Sequence, residues 1–214
     1  MFNFVNAHFS GEIGTKGGNR SMFIRRLKSN IRRTLGKRAE KVINLQDRLL
    51  ISVSSSSNAR EAAELCSKTF GISWSAPCIL TEIDEEKVAS EAAKILKLEK
   101  AAEFYVVAKR SYKGLKIERG AFGKKVAELI SQKTGIEGVI NSKTIINIEL
   151  VSGGKALVFT EKFQGQGGLP VGSSGKVALL LSGGIDSPAA AWLLAKRGCE
   201  IIFIHFHSFK GIGK

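Results

Sequence analysis

The sequence predicts a chain of more than one domain, of mixed α/β and α+β class. Three observations point there. Strand-like and helical patterns alternate through the first 160 residues, which excludes an all-β chain. A glycine-crowded stretch, Phe163–Gly175, then changes the composition abruptly and marks a connecting segment. Beyond it, strand, glycine turn, helix and strand follow within about thirty residues, the pattern of a βαβ unit.

In chain order, Phe2–Phe9 reads as a short strand, followed by the glycine-rich turn Gly11–Gly18. Asn19 or Ser21 can cap a helix running to about Leu35, because Phe23, Leu27, Ile31 and Leu35 recur every four residues with Ile24 beside them. Strands are expected at Lys41–Leu45 and Leu49–Val53, split by Gln46-Asp47-Arg48. A helix is expected from Ala59 to about Phe70, ended by Gly71, and then a strand at Ile72–Leu80. Asp84–Leu98 is an amphipathic helix with Val88, Ala92, Ile95 and Leu96 on one face. Strand Phe104–Lys109, helix Ala121–Thr134, and strands Thr144–Val151 and Ala156–Thr160 about a Gly153-Gly154 turn complete this part.

Composition narrows the function classes. At 43% hydrophobic and 24% charged residues the chain has ordinary globular composition, which argues against default disorder. No apolar run reaches membrane-spanning length, and Met1–Phe9 lacks the pattern of a signal peptide, so a cytoplasmic protein without a membrane partner is expected. Cys66, Cys78 and Cys199 are scattered without metal-type spacing and read as small hydrophobes in a reducing compartment. No metal site is expected of them or of His205 and His207, which alternate on one strand without a third ligand.

A formal net charge of +14 calls for a polyanionic partner. The first predicted helix carries Arg20, Arg25, Arg26, Lys28, Arg32 and Arg33 without a single acid, where a merely solvated face mixes both signs. A second cluster gathers Lys109, Arg110, Lys113, Lys116, Arg119, Lys124 and Lys125, diluted only by Glu118.

The chemistry-bearing signal follows the glycine segment. Val177–Leu181 is a continuous apolar run, expected to be a strand covered on both faces. Ser182-Gly183-Gly184-Ile185-Asp186-Ser187 comes next, with Pro188 at a good first helical position after a Ser187 cap. Ala189–Lys196 is apolar nearly all round, as expected of a helix packed on a sheet, and Glu200–Phe206 is a second strand expected to be buried. Adjacent glycines admit an anion close to the backbone, a helix N-terminus aims free N–H groups at it, and Ser182 and Ser187 add hydroxyls. Asp186 fits beside phosphates only if Mg²⁺ or a donor mediates. Neither a Walker A loop nor a GxGxxG fingerprint is present. Trp192 reads as core, as does Phe206 unless it stacks on a base, and Cys199 reads as structural.

These residues resemble a known family. SGGIDS at Ser182–Ser187 matches the PP-loop signature of ATP pyrophosphatases, and Gly165–Ser208 is similar to tRNA 4-thiouridine synthetase (tRNA sulfurtransferase), an enzyme family also tied to thiazole synthesis for thiamine. Glu12–Arg20 (EIGTKGGNR) resembles that family's N-terminal motif, and the middle of the chain is similar to a THUMP RNA-binding module. The resemblance implies a ferredoxin-like α+β domain over residues 1–58, a THUMP domain over 59–163, a Gly-rich linker over 164–175 and, over 176–214, the first βαβ unit of a doubly wound PP-loop domain. A PP-loop domain needs a whole sheet, so a C-terminally truncated form is expected.

The implied activity is ATP-dependent: O4 of a tRNA uridine is adenylated with release of pyrophosphate, and sulfur then displaces AMP. Ser182, Gly183, Gly184, Asp186 and Ser187 would hold the ATP phosphates with Mg²⁺, Asp186 having the catalytic part. Leu180, Leu181, His205 and Phe206 match positions lining the nucleotide pocket. The RNA-binding set would be Lys16, Arg20, Arg25, Arg26, Arg32, Arg33, Lys109, Arg110 and Lys113. Implied partners are tRNA and a sulfur-donor protein, a cysteine desulfurase or persulfide carrier, and homodimers are common in the family. The alternative reading is a tRNA-binding module without turnover. A THUMP-bearing methyltransferase lacks its glycine motif here, and an RNA-independent PP-loop ligase leaves the basic N-terminal segments unexplained.

Overall fold

The computed structural model describes residues 2–55, 58–111 and 114–206. Its elements are β1 (Phe4–Phe9), α1 (Gly11–Gly14), α2 (Arg20–Leu35), β2 (Ala39–Leu45), β3 (Arg48–Val53), α3 (Ala59–Ser67), β4 (Ile72–Glu82), α4 (Glu85–Glu99), β5 (Glu103–Arg110), α5 (Arg119–Thr134), β6 (Glu137–Gly138), β7 (Ile145–Val151), β8 (Lys155–Phe159), β9 (Phe163–Gln164), β10 (Lys176–Leu180), α6 (Asp186–Lys196) and β11 (Glu200–Ile204).

The first unit is β1-α2-β2-β3-α3-β4, with strand order β2-β3-β1-β4 and all pairings antiparallel, which is the ferredoxin-like split-βαβ topology. Its core is the apolar stripe of α2 (Phe23, Ile24, Leu27, Ile31, Leu35) set against Val5 and Ala7 of β1 and Ile51 of β3. Ala59, Ala62, Ala63 and Cys66 of α3 are buried in that same cluster, as is Ile72 at the start of β4. The packing of the first unit therefore continues past residue 58, where the sequence places a boundary.

The second unit shares β4 and extends the sheet through β8, β7, β5 and β6. β5 and β7 run parallel with α5 as their crossover, and β7 and β8 form a hairpin whose Gly153 and Gly154 both take positive φ (77° and 67°). The helices α4 and α5 cover one face, burying Val88, Ala92, Ile95, Leu96, Phe122, Val126 and Ile130. Asp84 caps α4 by accepting from the Lys87 N–H at 2.8 Å, and Lys100 closes it in the left-handed region at φ 52°.

The helix-free faces of the two halves turn toward one another. Leu50, Cys78, Val151, Leu157 and Phe159 form a third buried cluster between them. Arg48 of β3 pairs with Glu149 of β7, although β1, β4 and β8 lie between those strands; in a flat sheet they would be about 19 Å apart at the usual strand spacing. Arg48 is 2% exposed and Glu149 4%. Asn6 donates to the same carboxylate at 2.9 Å and His8 lies 3.2 Å from it, stacked in turn on Trp74. Burial alone would raise the Glu149 pKa, but the hydrogen bond with His8, the charges of Arg48 and His8 and the Asn6 amide outweigh it and hold the carboxyl at about 2.

The third unit is small: β10 and β11, paired in parallel from Lys176↔Glu200 to Leu180↔Ile204, with α6 between them. Each strand pairs only with the other among the described residues, and their side chains are exposed or half-buried, so the expected double covering is not met. Only Ala191 of α6 is buried; Leu180 (64% exposed), Leu193 (58%) and Phe203 (54%) lie open. Trp192, expected in a core, is 44% exposed: its ring meets the Phe70 edge at 5.6 Å while Lys196 lies over it at 4.9 Å.

The segment between second and third units is a strap, not a loose linker. The Gly165 and Gly167 N–H groups donate to the Ser73 and Ile72 carbonyls, and Gly71 N–H to the Gly167 carbonyl. Leu169, 4% exposed, is buried in the first core, and its N–H donates to the Lys196 carbonyl at 2.9 Å. Gly172 and Ser174 both donate to the Gly198 carbonyl. Glycine is required where backbones meet: a Cβ on Gly165 would strike the Ile72 carbonyl, and one on Gly168 (φ 72°) the Lys196 carbonyl.

Candidate phosphate loop and nucleic-acid interface

Residues 181–185 connect the C-terminal end of β10 to α6, the position at which ligands bind in open α/β sheets. Ser182 and Ser187 close it: the Ser187 hydroxyl accepts from the Ser182 N–H at 3.2 Å and lies 3.2 Å from the Ser182 hydroxyl, which accepts from the Gly184 N–H at 3.3 Å. Helix α6 begins two residues earlier than the sequence indicates. Its N-cap is Ile185, which offers no side-chain cap, and Asp186 is the first helical residue, so Ser187 and Pro188 sit within the first turn. Ser187 is thus a loop-closing hydroxyl and not the cap, and the uncapped first turn points N–H groups outward.

A Cβ on Gly183 would meet nothing within 4 Å, and Gly184 has only the Ser182 hydroxyl nearby, at 3.6 Å. Among the described residues nothing demands glycine at Gly183, and its bare backbone leaves room for an anion to approach. Asp186 stands exposed beside this cradle. At the ends of β10 and β11, the Leu181 N–H donates to the Ile204 carbonyl and the His205 Nδ1 lies 2.9 Å from the Leu181 carbonyl, so these two predicted residues are brought together. Leu180 is exposed, as is Phe206 at 80%, which is therefore not core. His207 and Lys113 lie outside the described residues.

Arg25, Arg26, Arg32 and Arg33 project from the exposed side of α2, with no carboxylate paired to them among the described residues. Arg25, Arg26 and Ser29 line a cleft of about 290 Å³ closed on its far side by Gly172 and Ser173 of the strap. Asn30 donates to the Val171 carbonyl at 3.0 Å, and Arg197 of the third unit pairs with Glu12 at 2.6 Å. Helix α2, the strap and the C-terminal end of α6 are therefore held by one set of bonds. Lys16 and Arg20 are partly used within the fold: they lie over the Phe23 and Phe9 rings at 5.3 and 5.9 Å, and Arg20 also donates to the Gln46 carbonyl.

The second basic cluster divides. Lys109, opposite Glu149 in the β5–β7 register, lies on the helix-free face near Lys162, whose pKa is lowered by partial burial and then by the Lys109 charge. Arg110 donates to the Leu115 carbonyl at 2.9 Å, while Arg119, Lys124 and Lys125 stand on α5. Sequence reading misses Arg48 altogether: placed at a turn by its neighbours, it is the most buried charge among the described residues. No local pattern marks it, because its partner Glu149 lies 101 residues away.

Residues 9–76 match the model of the ThiI ferredoxin-like domain, and residues 172–214 that of the thiamine biosynthesis protein ThiI. A probable tRNA sulfurtransferase of Thermococcus kodakarensis is 38% identical over 97% of this chain and 56% of its own length. One of Alkaliphilus metalliredigens is 37% identical over 93% and 52%. The chain thus spans about half the length of these curated relatives. Among solved structures, a 4-thiouridine synthetase–RNA complex with bound ATP matches with TM-score 0.78 and 35% identity, over 97% of this chain and 53% of that one. The crystal structure of PH1313 from Pyrococcus horikoshii Ot3 matches with TM-score 0.81 and 28% identity, over 95% and 69%. With its ferredoxin-like unit, its shared sheet and the SGGIDS loop where that family's domain model falls, the chain belongs to the tRNA sulfurtransferase family.

Proposed function

We propose that these residues form the tRNA-gripping and phosphate-holding part of an ATP-dependent tRNA uridine 4-sulfurtransferase. The observation that carries this reading is the strap: it fixes an acid-free arginine helix against the unit bearing the phosphate loop, so a polyanion gripped at one is presented to the other. Arg25, Arg26, Arg32 and Arg33 would hold the RNA backbone, joined by Lys109 from the second, THUMP-like unit; Lys16 and Arg20 contribute charge from positions already tied into the fold. Gly183, Gly184, Ser182 and Ser187 would hold the ATP phosphates, and Asp186 would take a phosphate-bound Mg²⁺, which neutralises charge as pyrophosphate leaves. His205 and Leu181, with Leu180 and Phe206, would flank the nucleoside. Sulfur would reach the activated uridine from a donor protein. No helix among the described residues is long and apolar enough to cross a membrane.

The test is thiolation of unmodified tRNA with ATP, Mg²⁺ and inorganic sulfide, read by mercury-gel retardation, beside tRNA binding across a salt series. Asp186→Ala should abolish retardation and leave tRNA affinity unchanged. Reversing Arg25 and Arg26 to Glu should weaken binding and reduce the salt slope by about 0.9 for each phosphate no longer neutralised. Equal tRNA affinity and slope in the reversed protein would refute the assigned grip. A second reading, RNA binding without turnover by these residues alone, is favoured by the open apolar faces of the third unit; bound but unretarded tRNA in the unmodified chain would decide for it.

A further inference from the structure

The outer edge of β5 is a strand edge left open beside a groove. The Tyr105 N–H donates to the Thr144 carbonyl and the Ser111 N–H to the Leu150 carbonyl, so odd-numbered residues of β5 spend their backbone groups on β7. Even-numbered residues face the other way. There β6 pairs only through Glu103↔Glu137 and Phe104↔Gly138, with Val139 N–H donating to the Phe104 carbonyl, before the chain turns off at Asn141 (φ 66°). Among the described residues, the backbone groups of Val106 and Ala108 are left without a strand partner. From Val106 to Arg110 the open edge is about 13 Å long at 3.3 Å per residue.

This edge opens on a groove of about 630 Å³ between β5 and α5. Its α5 wall is made of the small residues Gly120, Gly123 and Ala127, with the helix close on the strand at one point, where a Cβ on Gly123 would come 3.2 Å from the Ala108 Cβ. Its far wall is Val139 and Ile140, the latter 76% exposed. Arg119 and Lys124 stand on the rim, and while Lys125 pairs with Glu128 and Lys133 with Glu86, no carboxylate pairs with Arg119 or Lys124 among the described residues.

An apolar floor, an unpaired N–H and C=O ladder and a basic rim together define one kind of occupant. We propose that the β5 edge takes up an extended acidic segment of a partner protein as an added strand, its backbone pairing with Val106 and Ala108, its small apolar side chains against Ile140 and its carboxylates against Arg119 and Lys124. This surface is separate from the arginines of α2 and from the phosphate loop. RNA has no backbone ladder to match the strand, so it makes poor use of the groove.

The probe is a seven-residue capped peptide alternating Asp or Glu with Val, compared with its Lys-for-acid counterpart and with an octauridylate, on the whole chain at low salt. Amide hydrogen exchange is the readout. The acidic peptide should slow exchange at Val106 and Ala108 at least tenfold, and the joint reversal Arg119→Glu, Lys124→Glu should raise the half-saturating concentration at least tenfold. Ile140→Glu, at an exposed position that folding tolerates, should do the same by placing a like charge in the groove. Equal protection by the basic peptide, protection by octauridylate but not by peptide, or indifference to Ile140→Glu would each overturn the proposal.

Discussion

Replacing Glu149 by Ala tests what holds the two sheet halves together. The change removes the carboxylate that Arg48, Asn6 and His8 share and leaves a guanidinium 2% exposed with Asp47 and the Ser111 hydroxyl as its remaining partners. Breaking a buried ion pair from one side costs about 3–5 kcal/mol, because the surviving charge stays desolvated. The depressed pKa points the same way: a carboxyl held at about 2 against an ordinary 4.5 corresponds to about 3 kcal/mol favouring the folded state. The sign follows from the depressed value. This stabilisation is fully present above about pH 4.5 and is lost as pH falls toward 2. Urea unfolding of wild type and Glu149→Ala from pH 7 to 2.5 should show a gap of about 3 kcal/mol at neutral pH, narrowing through that window. Exchanging both partners for apolar residues, Arg48→Met with Glu149→Leu, should recover most of the loss. A neutral-pH gap below about 1 kcal/mol, or one that stays constant with pH, would refute the account of the clamp.

Three further outcomes are expected. Gly168→Ala forces a side chain into a left-handed position facing the Lys196 carbonyl, so it should cost about 1–3 kcal/mol and expose the strap to limited proteolysis. Asp84→Ala removes the α4 cap bond to Lys87 N–H and should cost about 1 kcal/mol in chemical unfolding. Under native conditions a thiol reagent should label Cys199 and spare Cys66 and Cys78, which are fully buried; burial pushes the Cys66 thiol up to about 12 and raises that of Cys78 as well.

Much of the fold is legible in the sequence because local periodicity and packing agree. The four-residue stripe of α2 is the face that meets β1 and β3, and Asp84 caps where the amphipathic pattern begins. The SGGIDS loop is legible because its chemistry is local, with both hydroxyls and both glycines within six positions. Three features are not. The apolar runs of β10 and β11 predict burial, but burial depends on elements packed on both faces of the sheet, and among the described residues these two strands remain largely exposed. A cap at Ser187 is the natural reading of Ser-Pro, a good capping pair, yet the hydroxyl is committed to Ser182. Glycine density between residues 163 and 175 reads as a connecting segment and says nothing of its bonding, whereas Gly165 and Gly168 permit close backbone approach.

That last distinction bears on how RNA and nucleotide would meet. A slack linker of about a dozen residues would let the phosphate loop wander relative to α2, and presentation would rest on effective concentration alone. The strap leaves little such freedom. It is bonded to β4 at one end through Gly165 and Gly167, to α2 in the middle through the Val171 carbonyl, and to the α6 terminus at the other through Leu169, Gly172 and Ser174. The Arg197–Glu12 pair, 62% and 38% exposed at its side chains, adds direction more than stability. Buried Leu169 and the backbone bonds supply most of the hold. Under the function we propose, a nucleotide at the loop would lie at a fixed span from the α2 arginines, and the uridine to be modified would be chosen by its distance along the gripped RNA as well as by the bases around it.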